Sequence, residues 1–287
     1  MIETLCVELT AHCGLRCSHC SASASPERTE VLDPNLLLRR LAELGDLAEI
    51  YLSGGEPCLH PAIVPLIRAS RRTARAVVVY SSGVWWRGAA RGSLPDGLID
   101  ELGAVSPTRI DLSLYAARAP AHDSVTSIGG SFAHTIATAH KLRAAGIGLG
   151  IHHVPVDEAP GELLATAQLA ADLGVVRFHV LALAPQGRGV HLRPSHNGPE
   201  FLDEVRRLLG HPWPFELVTS SALRRAVGDW RASPRDELRA AFLDVRGHLY
   251  PGEGQRLLRL RSRKTLAERD LGELYAESAA ASRAGEP

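Results

Sequence analysis

The chain of 287 residues has no net formal charge, 32 basic side chains balancing 32 acidic ones. No global field therefore draws it to nucleic acid or to an anionic membrane surface. It also lacks an apolar run long enough to span a bilayer. Its first residues, Met1-Ile-Glu-Thr, show neither the basic nor the apolar region of an export signal. The cytoplasm is the expected compartment. Lysine is nearly missing, with Lys141 and Lys264 set against arginine everywhere else, which reads as compositional bias. Cysteine is sparse too. There are five, unevenly placed, and none follows Cys58, so a disulfide framework is excluded in favour of a metal site in a reducing compartment. At this length a single α/β barrel with a large core is possible.

Three of the five cysteines fall within eight residues, Cys13-Gly-Leu-Arg-Cys17-Ser-His-Cys20, just after a strand-like run. Thiolates are the ligands that soft iron and zinc prefer. Zinc normally closes a tetrahedron with four protein ligands, and a ferredoxin-type cluster also takes four cysteines. No fourth cysteine lies nearby. Three thiolates on a cubane leave one iron open, which suits a cluster that also binds a substrate. The competing readings are a non-catalytic zinc protein, with His12 or His19 completing the site, and buried cysteines spaced along a helical face. The C-x3-C-x2-C spacing resembles that of the radical S-adenosylmethionine (radical SAM) enzymes. The resemblance implies that Cys13, Cys17 and Cys20 hold one [4Fe-4S] cluster whose open iron is chelated by SAM. Reductive cleavage of SAM then gives a 5′-deoxyadenosyl radical that abstracts hydrogen from a substrate.

Strand-like runs at residues 4–9, 48–53, 76–81, 109–115, 147–154 and 175–183 alternate with helix-like runs at 34–44, 62–72, 94–102, 132–145 and 161–173. That alternation predicts parallel β/α units. Within the strands successive side chains face opposite ways. Leu5, Val7 and Leu9 oppose Cys6, Glu8 and Thr10, and Ile110, Leu112 and Leu114 oppose Asp111, Ser113 and Tyr115. Likewise Ile147, Leu149 and Ile151 oppose Gly148, Gly150 and His152. The apolar faces meet the helices, leaving a polar, glycine-containing lumen fit for a ligand. Six such units resemble the partial (β/α)6 TIM-like barrel of radical SAM type.

The second strand ends in Ser53-Gly54-Gly55-Glu56-Pro57, at the carboxyl edge where parallel sheets bind ligands. Two glycines let backbone approach a ligand closely. The run resembles the family's GGE motif, which implies that Gly54, Gly55 and Glu56 receive the SAM ammonium. By the same resemblance Ser82, Ser113, His152 and Leu181 are SAM contacts. Lumen-facing Glu8, Tyr51, Asp111, Tyr115 and His179 are the candidate substrate-side residues. Trp85-Trp86 is expected in a loop, as a core pair or a substrate wall.

His122-Asp123 with Gly129-Gly130-Ser131-Phe132, Ala145-Gly146-Ile147, and Ala184-Pro185-Gln186-Gly187-Arg188-Gly189 resemble the SPASM/twitch branch. Residues 1–190 are expected to form the barrel and 191–287 an α+β cap. In the cap, residues 190–194 read as loop, 201–209 and 223–230 as helices, 241–252 as a hairpin, 271–275 as a closing helix and 278–287 as a frayed end. Gly252 stands where relatives of that branch carry an auxiliary-cluster cysteine, so the cap is expected to lack metal. One cluster favours a redox-neutral outcome. The expected substrate is a natural-product small molecule, such as a sugar, an aminoglycoside or a nucleoside-like compound, because the first strand begins almost at Met1. The alternative is a maturase acting on a ribosomally made peptide, and a binding module on a decayed barrel is a third reading. An electron donor such as flavodoxin or ferredoxin is an implied partner.

Overall fold

The computed structural model describes residues 2–43, 46–88, 90–192, 198–229, 240–252 and 261–284. In chain order the first strands are β1 (Thr4–Glu8), β2 (Leu47–Ser53) and β3 (Ala74–Ser81), followed by a hairpin of β4 (Val84–Arg87) and β5 (Ala90–Ser93). Then come β6 (Arg109–Ser113), β7 (Leu149–His153) and β8 (Arg177–Val180). The tail adds β9 (Glu216–Thr219), β10 (Ala240–Leu243) and β11 (Leu249–Pro251). Helices α1 (Pro34–Ala42), α2 (Ile63–Ser70) and α3 (Asp96–Val105) lie between the early strands, with α4 (Ala119–Thr126), α5 (Ser131–Ala144) and α6 (Glu162–Asp172) between the later ones. The remaining helices are α7 (Pro199–Gly210), α8 (Ser221–Ala226) and α9 (Leu271–Ala284).

Nine strands form one sheet in the order β11-β10-β1-β2-β3-β6-β7-β8-β9, and only β11 runs antiparallel to its neighbour. Its middle six strands are the predicted parallel units of an open partial barrel. Their outward faces carry fully buried Leu5, Val7, Ile50, Leu52, Ile110 and Leu112, the apolar layer under the helices. Parallel strands need a crossover, and a helix supplies it between most of them. Asp33 accepts from the backbone N–H groups of Asn35 and Leu36 ahead of Pro34 at the first turn of α1.

The tail is not a separate layer. β10 pairs in parallel with β1, β9 extends the other edge beside β8, and Arg40 on α1 donates to the Leu266 carbonyl at 3.1 Å. Differences from expectation lie at the margins. Several strands are shorter than predicted. Trp85 and Trp86 sit in the β4–β5 hairpin, not in a loop, and α4 and β9 have no counterpart among the predicted elements. Parts of the predicted elements at Leu44, Arg193, Pro194, Trp230 and 285–287 lie outside the described residues. No helix among the described residues is long and apolar enough to cross a membrane.

Candidate active site

The cysteines stand in the loop between β1 and α1, and three neighbours fix that loop. From β2, the N–H groups of Gly55 and Glu56 donate to the carbonyls of Thr10 and His12 at 2.5 and 2.9 Å. From below, the carbonyls of Thr126 and Val125, where α4 ends, accept from Arg16 and Ser18. From the loop after β8, the N–H of Arg188 donates to the Cys20 carbonyl at 3.0 Å. Cys13, Leu15, Ala24 and Val84 form a small apolar cluster with Cys17, Cys20, Ala22 and Ile128 around it. Burial first, and then the neighbouring Cys17, pushes the Cys13 thiol well above its usual range. Burial and the Cys20 thiol raise Cys17 to about 12. Three soft donors thus border one apolar cluster, where Cys13 and Cys17 are costly to ionise without a cation. No three His, Cys, Asp or Glu side chains among the described residues are grouped to hold a single metal ion.

Gly54 and Gly55 lie close against the cysteine loop. A Cβ on Gly54, at φ +134°, would stand 2.5 Å from the Thr10 carbonyl oxygen, and one on Gly55 would overlap the His12 carbonyl. The glycines admit the cysteine loop's backbone. Glu56 is fully buried and accepts four bonds: from Ser81 Oγ at 2.7 Å, Cys58 N at 3.1 Å, Ser82 N at 2.8 Å and Ser82 Oγ at 2.5 Å. Burial raises its pKa against the pull of those donors. A carboxylate offers about four acceptor positions, and these four donors occupy them. Thr135 and Thr138 on α5 hold the same turn by donating to the carbonyls of Ser82 and Gly83.

Inside the barrel the lumen is layered. Tyr51 and Tyr80 lie 5.1 Å apart, Tyr80 stacks on His152 at 4.7 Å, and His179 meets His152 edge-on at 5.6 Å. Nearer the N-terminal ends of the strands, Arg109 pairs with Asp111, Arg177 pairs with Glu216 at 2.8 Å, and Tyr51 donates to Glu49. That ionic floor takes Asp111, 1% exposed, out of the open lumen. Nearer the cysteines, Tyr115 is packed with Val154 and Leu183, and Leu181 and Cys17 border the group. The Tyr115 ring lies 4.6 Å from His19 and 5.5 Å from His122. Glu8 ends β1 in register with Ser53, and Ser113 lies opposite His152. Burial lowers His152 to about 4 and His179 to about 3, so both imidazoles are neutral.

Tyr80 went unnamed at the level of sequence, and other contributors were named there without these contacts. Tyr80 shares its strand face with Ser82, and parity alone could have placed it in the lumen. Asp123 accepts from the N–H groups of Gly130 and Phe132 and from Ser131 Oγ. The His122-Asp123 and Gly130-Ser131-Phe132 runs therefore couple α4 to the start of α5 beneath the cysteine loop. A Cβ on Gly14 would touch the Trp86 ring at 2.6 Å, so the hairpin lies against that loop.

A family description of the Radical SAM superfamily matches residues 7–170. The chain belongs to the Radical SAM superfamily. Radical SAM enzymes use a [4Fe-4S] cluster and S-adenosylmethionine, and the donor set of the Cys13–Cys20 loop fits such a cluster. An AdoMet-dependent heme synthase of Methanosarcina barkeri is 30% identical over 185 residues, 63% of this chain and 51% of that protein. A PqqA peptide cyclase of Ruegeria pomeroyi is 31% identical over 183 residues, 63% of this chain and 47% of that protein. The chain thus spans about half the length of these curated relatives. Streptococcus suis SuiB bound to its precursor peptide SuiA superposes with a TM-score of 0.74 at 15% identity, covering 96% of this chain and 64% of that one. That similarity shows the fold.

Proposed function

We propose that this Radical SAM enzyme holds its cluster on Cys13, Cys17 and Cys20 and modifies a ribosomally made peptide. With cluster and SAM bound, the site supplies a 5′-deoxyadenosyl radical that abstracts hydrogen from the substrate. The chain's residues contribute position and exclusion of water. Glu56 and the Ser81-Ser82-Gly83 turn form the SAM ammonium side of the cradle, and Ser113, His152 and Leu181 line the nucleoside side. Neutral His152 and His179 offer hydrogen bonds to a substrate without adding charge. Below them the tyrosine layer and the buried Arg109–Asp111 pair block the lumen, so in this reading substrate enters from the cysteine end, past Glu8 and Tyr115.

The peptide assignment rests on one observation: PqqA peptide cyclases recur among the relatives, matching over comparable stretches of this chain. This replaces the small-molecule preference drawn from the sequence. A heme synthase and a GTP 3′,8-cyclase among the relatives support a small-molecule substrate as the second reading. The test is anaerobic reconstitution, dithionite and SAM, with 5′-deoxyadenosine followed by chromatography and candidate precursor peptides by mass spectrometry. The expected result is nucleoside release that peptide accelerates, with a mass change in the peptide. Acceleration only by a sugar, a nucleoside or a tetrapyrrole would overturn the peptide assignment. Iron-replete protein that releases no 5′-deoxyadenosine would overturn the activity itself.

A further inference from the structure

The loop after β8 carries an arginine whose guanidinium the site described so far does not use. Arg188 donates through Nε to the Cys17 carbonyl at 2.7 Å and through its backbone N–H to the Cys20 carbonyl at 3.0 Å. The flanking glycines make that approach possible. At Gly187, φ +55°, a Cβ would collide with the carbonyls of Cys20 and Ser21, and at Gly189 it would stand 3.1 Å from the His19 carbonyl. Gly187-Arg188-Gly189 is therefore pressed against the second half of the cysteine loop, bridging 171 residues of sequence. Part of the guanidinium is not used by that staple: its Nη2 is shielded from solvent and has no hydrogen-bond partner. An unpaired buried guanidinium N–H is costly, so its position next to the cluster loop calls for an anionic partner there.

We infer that Arg188 is the counter-cation of the cluster site, a positioning residue that fixes the Cys17–Cys20 half of the loop and makes the bound cluster easier to reduce. The inference rests on the cluster assignment proposed above. A [4Fe-4S]2+ core with three thiolates carries one net negative charge, and one electron from the reductant takes it to two. A fixed positive charge stabilises the second state more than the first. Net charge and hydrogen bonds to sulfur are the levers that set such potentials.

The experiment is a dithionite-poised titration of reconstituted wild type, Arg188→Gln and Arg188→Lys without SAM, followed by electron paramagnetic resonance of the reduced cluster. Iron and sulfide are measured on the same samples. Arg188→Gln is expected to retain iron and to lose about tenfold in the reduction equilibrium, about 59 mV for a one-electron couple. Arg188→Lys, keeping the charge, is expected to lose less than half of that. Full iron in Arg188→Gln with an unchanged potential would overturn the inference. Should Arg188→Gln hold no iron, the lysine variant decides. Assembly near the wild-type potential supports the role of charge, and failure to assemble leaves only a backbone staple and overturns it. Wild type that holds no cluster would instead sink the proposed function.

Discussion

Replacing Glu56 separates its work in the fold from its work on a ligand. Its carboxylate accepts from two backbone N–H groups, those of Cys58 and Ser82, and from the hydroxyls of Ser81 and Ser82. The hydroxyls can turn elsewhere, because Ser81 Oγ and Ser82 Oγ also serve Gly83 N and Val84 N as acceptors. The two backbone donors cannot turn. Each buried donor left unpaired costs about 1–3 kcal/mol, so Glu56→Ala is expected to cost about 2–6 kcal/mol. That is a large part of the total stability of an ordinary domain, about 5–15 kcal/mol. Glu56→Gln keeps one acceptor oxygen but turns an amide N–H toward the Ser82 N–H, so about half of that loss is expected. Urea unfolding of the cluster-free protein without SAM measures this, free of any ligand term. Calorimetric titration of SAM into reconstituted protein measures the rest. A ligand role predicts a further ten- to hundredfold loss of affinity in Glu56→Gln. An Ala variant that unfolds at the wild-type urea midpoint would refute the four-bond account of this turn.

Gly55→Ala should displace the cysteine loop, since the added Cβ meets the His12 carbonyl; iron content after reconstitution should fall well below wild type, and full occupancy would contradict the packing. Trp86→Ala removes the ring lying against Gly14 and should speed the aerobic bleaching of the visible cluster absorbance several-fold; an unchanged rate would show that the hairpin does not shield the loop. Acid should destabilise the protein through His122, His152 and His179, which burial lowers to about 4, 4 and 3. Because the unfolded chain takes up those protons first, this contribution is complete above pH about 6.5 and is lost as pH falls toward about 4, at about 1 kcal/mol per histidine per pH unit. Urea midpoints at pH 7.5 and 5.5 test it, and His152→Gln should reduce the difference by about a third; equal midpoints for the wild type would refute it.

The parallel strands were legible because each is a short apolar run ending at a glycine or polar turn. Face was legible too, since parity put Asp111, Ser113, His152 and His179 on one side. Depth was not. Asp111 and His152 share the lumen face, yet Asp111 is tied to Arg109 in the ionic floor. The cue was Arg109 itself, two residues earlier on the same face. The β4–β5 hairpin escaped because four-residue strands with a glycine turn carry almost no alternation. Helix α4 escaped because Ala119–Thr126 is built of small and polar residues, and it ends at Ser127 with φ 58°. Gly54-Gly55 was recognised as a close approach, but sequence does not say whether a ligand or a second backbone does the approaching. Arg188 was quoted within a motif, and only the fold shows that it reaches Cys17.

How many clusters these residues hold follows from where the other two cysteines lie. Cys6 faces the lumen from β1, in register with Tyr51 and Phe242. Cys58 is buried in the short turn Pro57–Leu59 beyond β2, where burial first and Glu56 second push its thiol well above the usual range. No cysteine occurs after it, and Gly252 closes the β10–β11 hairpin by donating to the Ala240 carbonyl at 2.7 Å. Two thiolates, one on a strand and one in a turn, make a poor cubane site. On the proposed assignment the three loop cysteines account for one cluster, and iron near four per chain is expected after reconstitution, about what one cubane holds. A triple variant with Cys13, Cys17 and Cys20 changed to alanine should hold none. Mössbauer spectra of both proteins, with iron and sulfide analysis, distinguish a cubane from adventitious iron. A cubane signal persisting in the triple variant would show that Cys6, Cys58 or non-cysteine ligands build a second site.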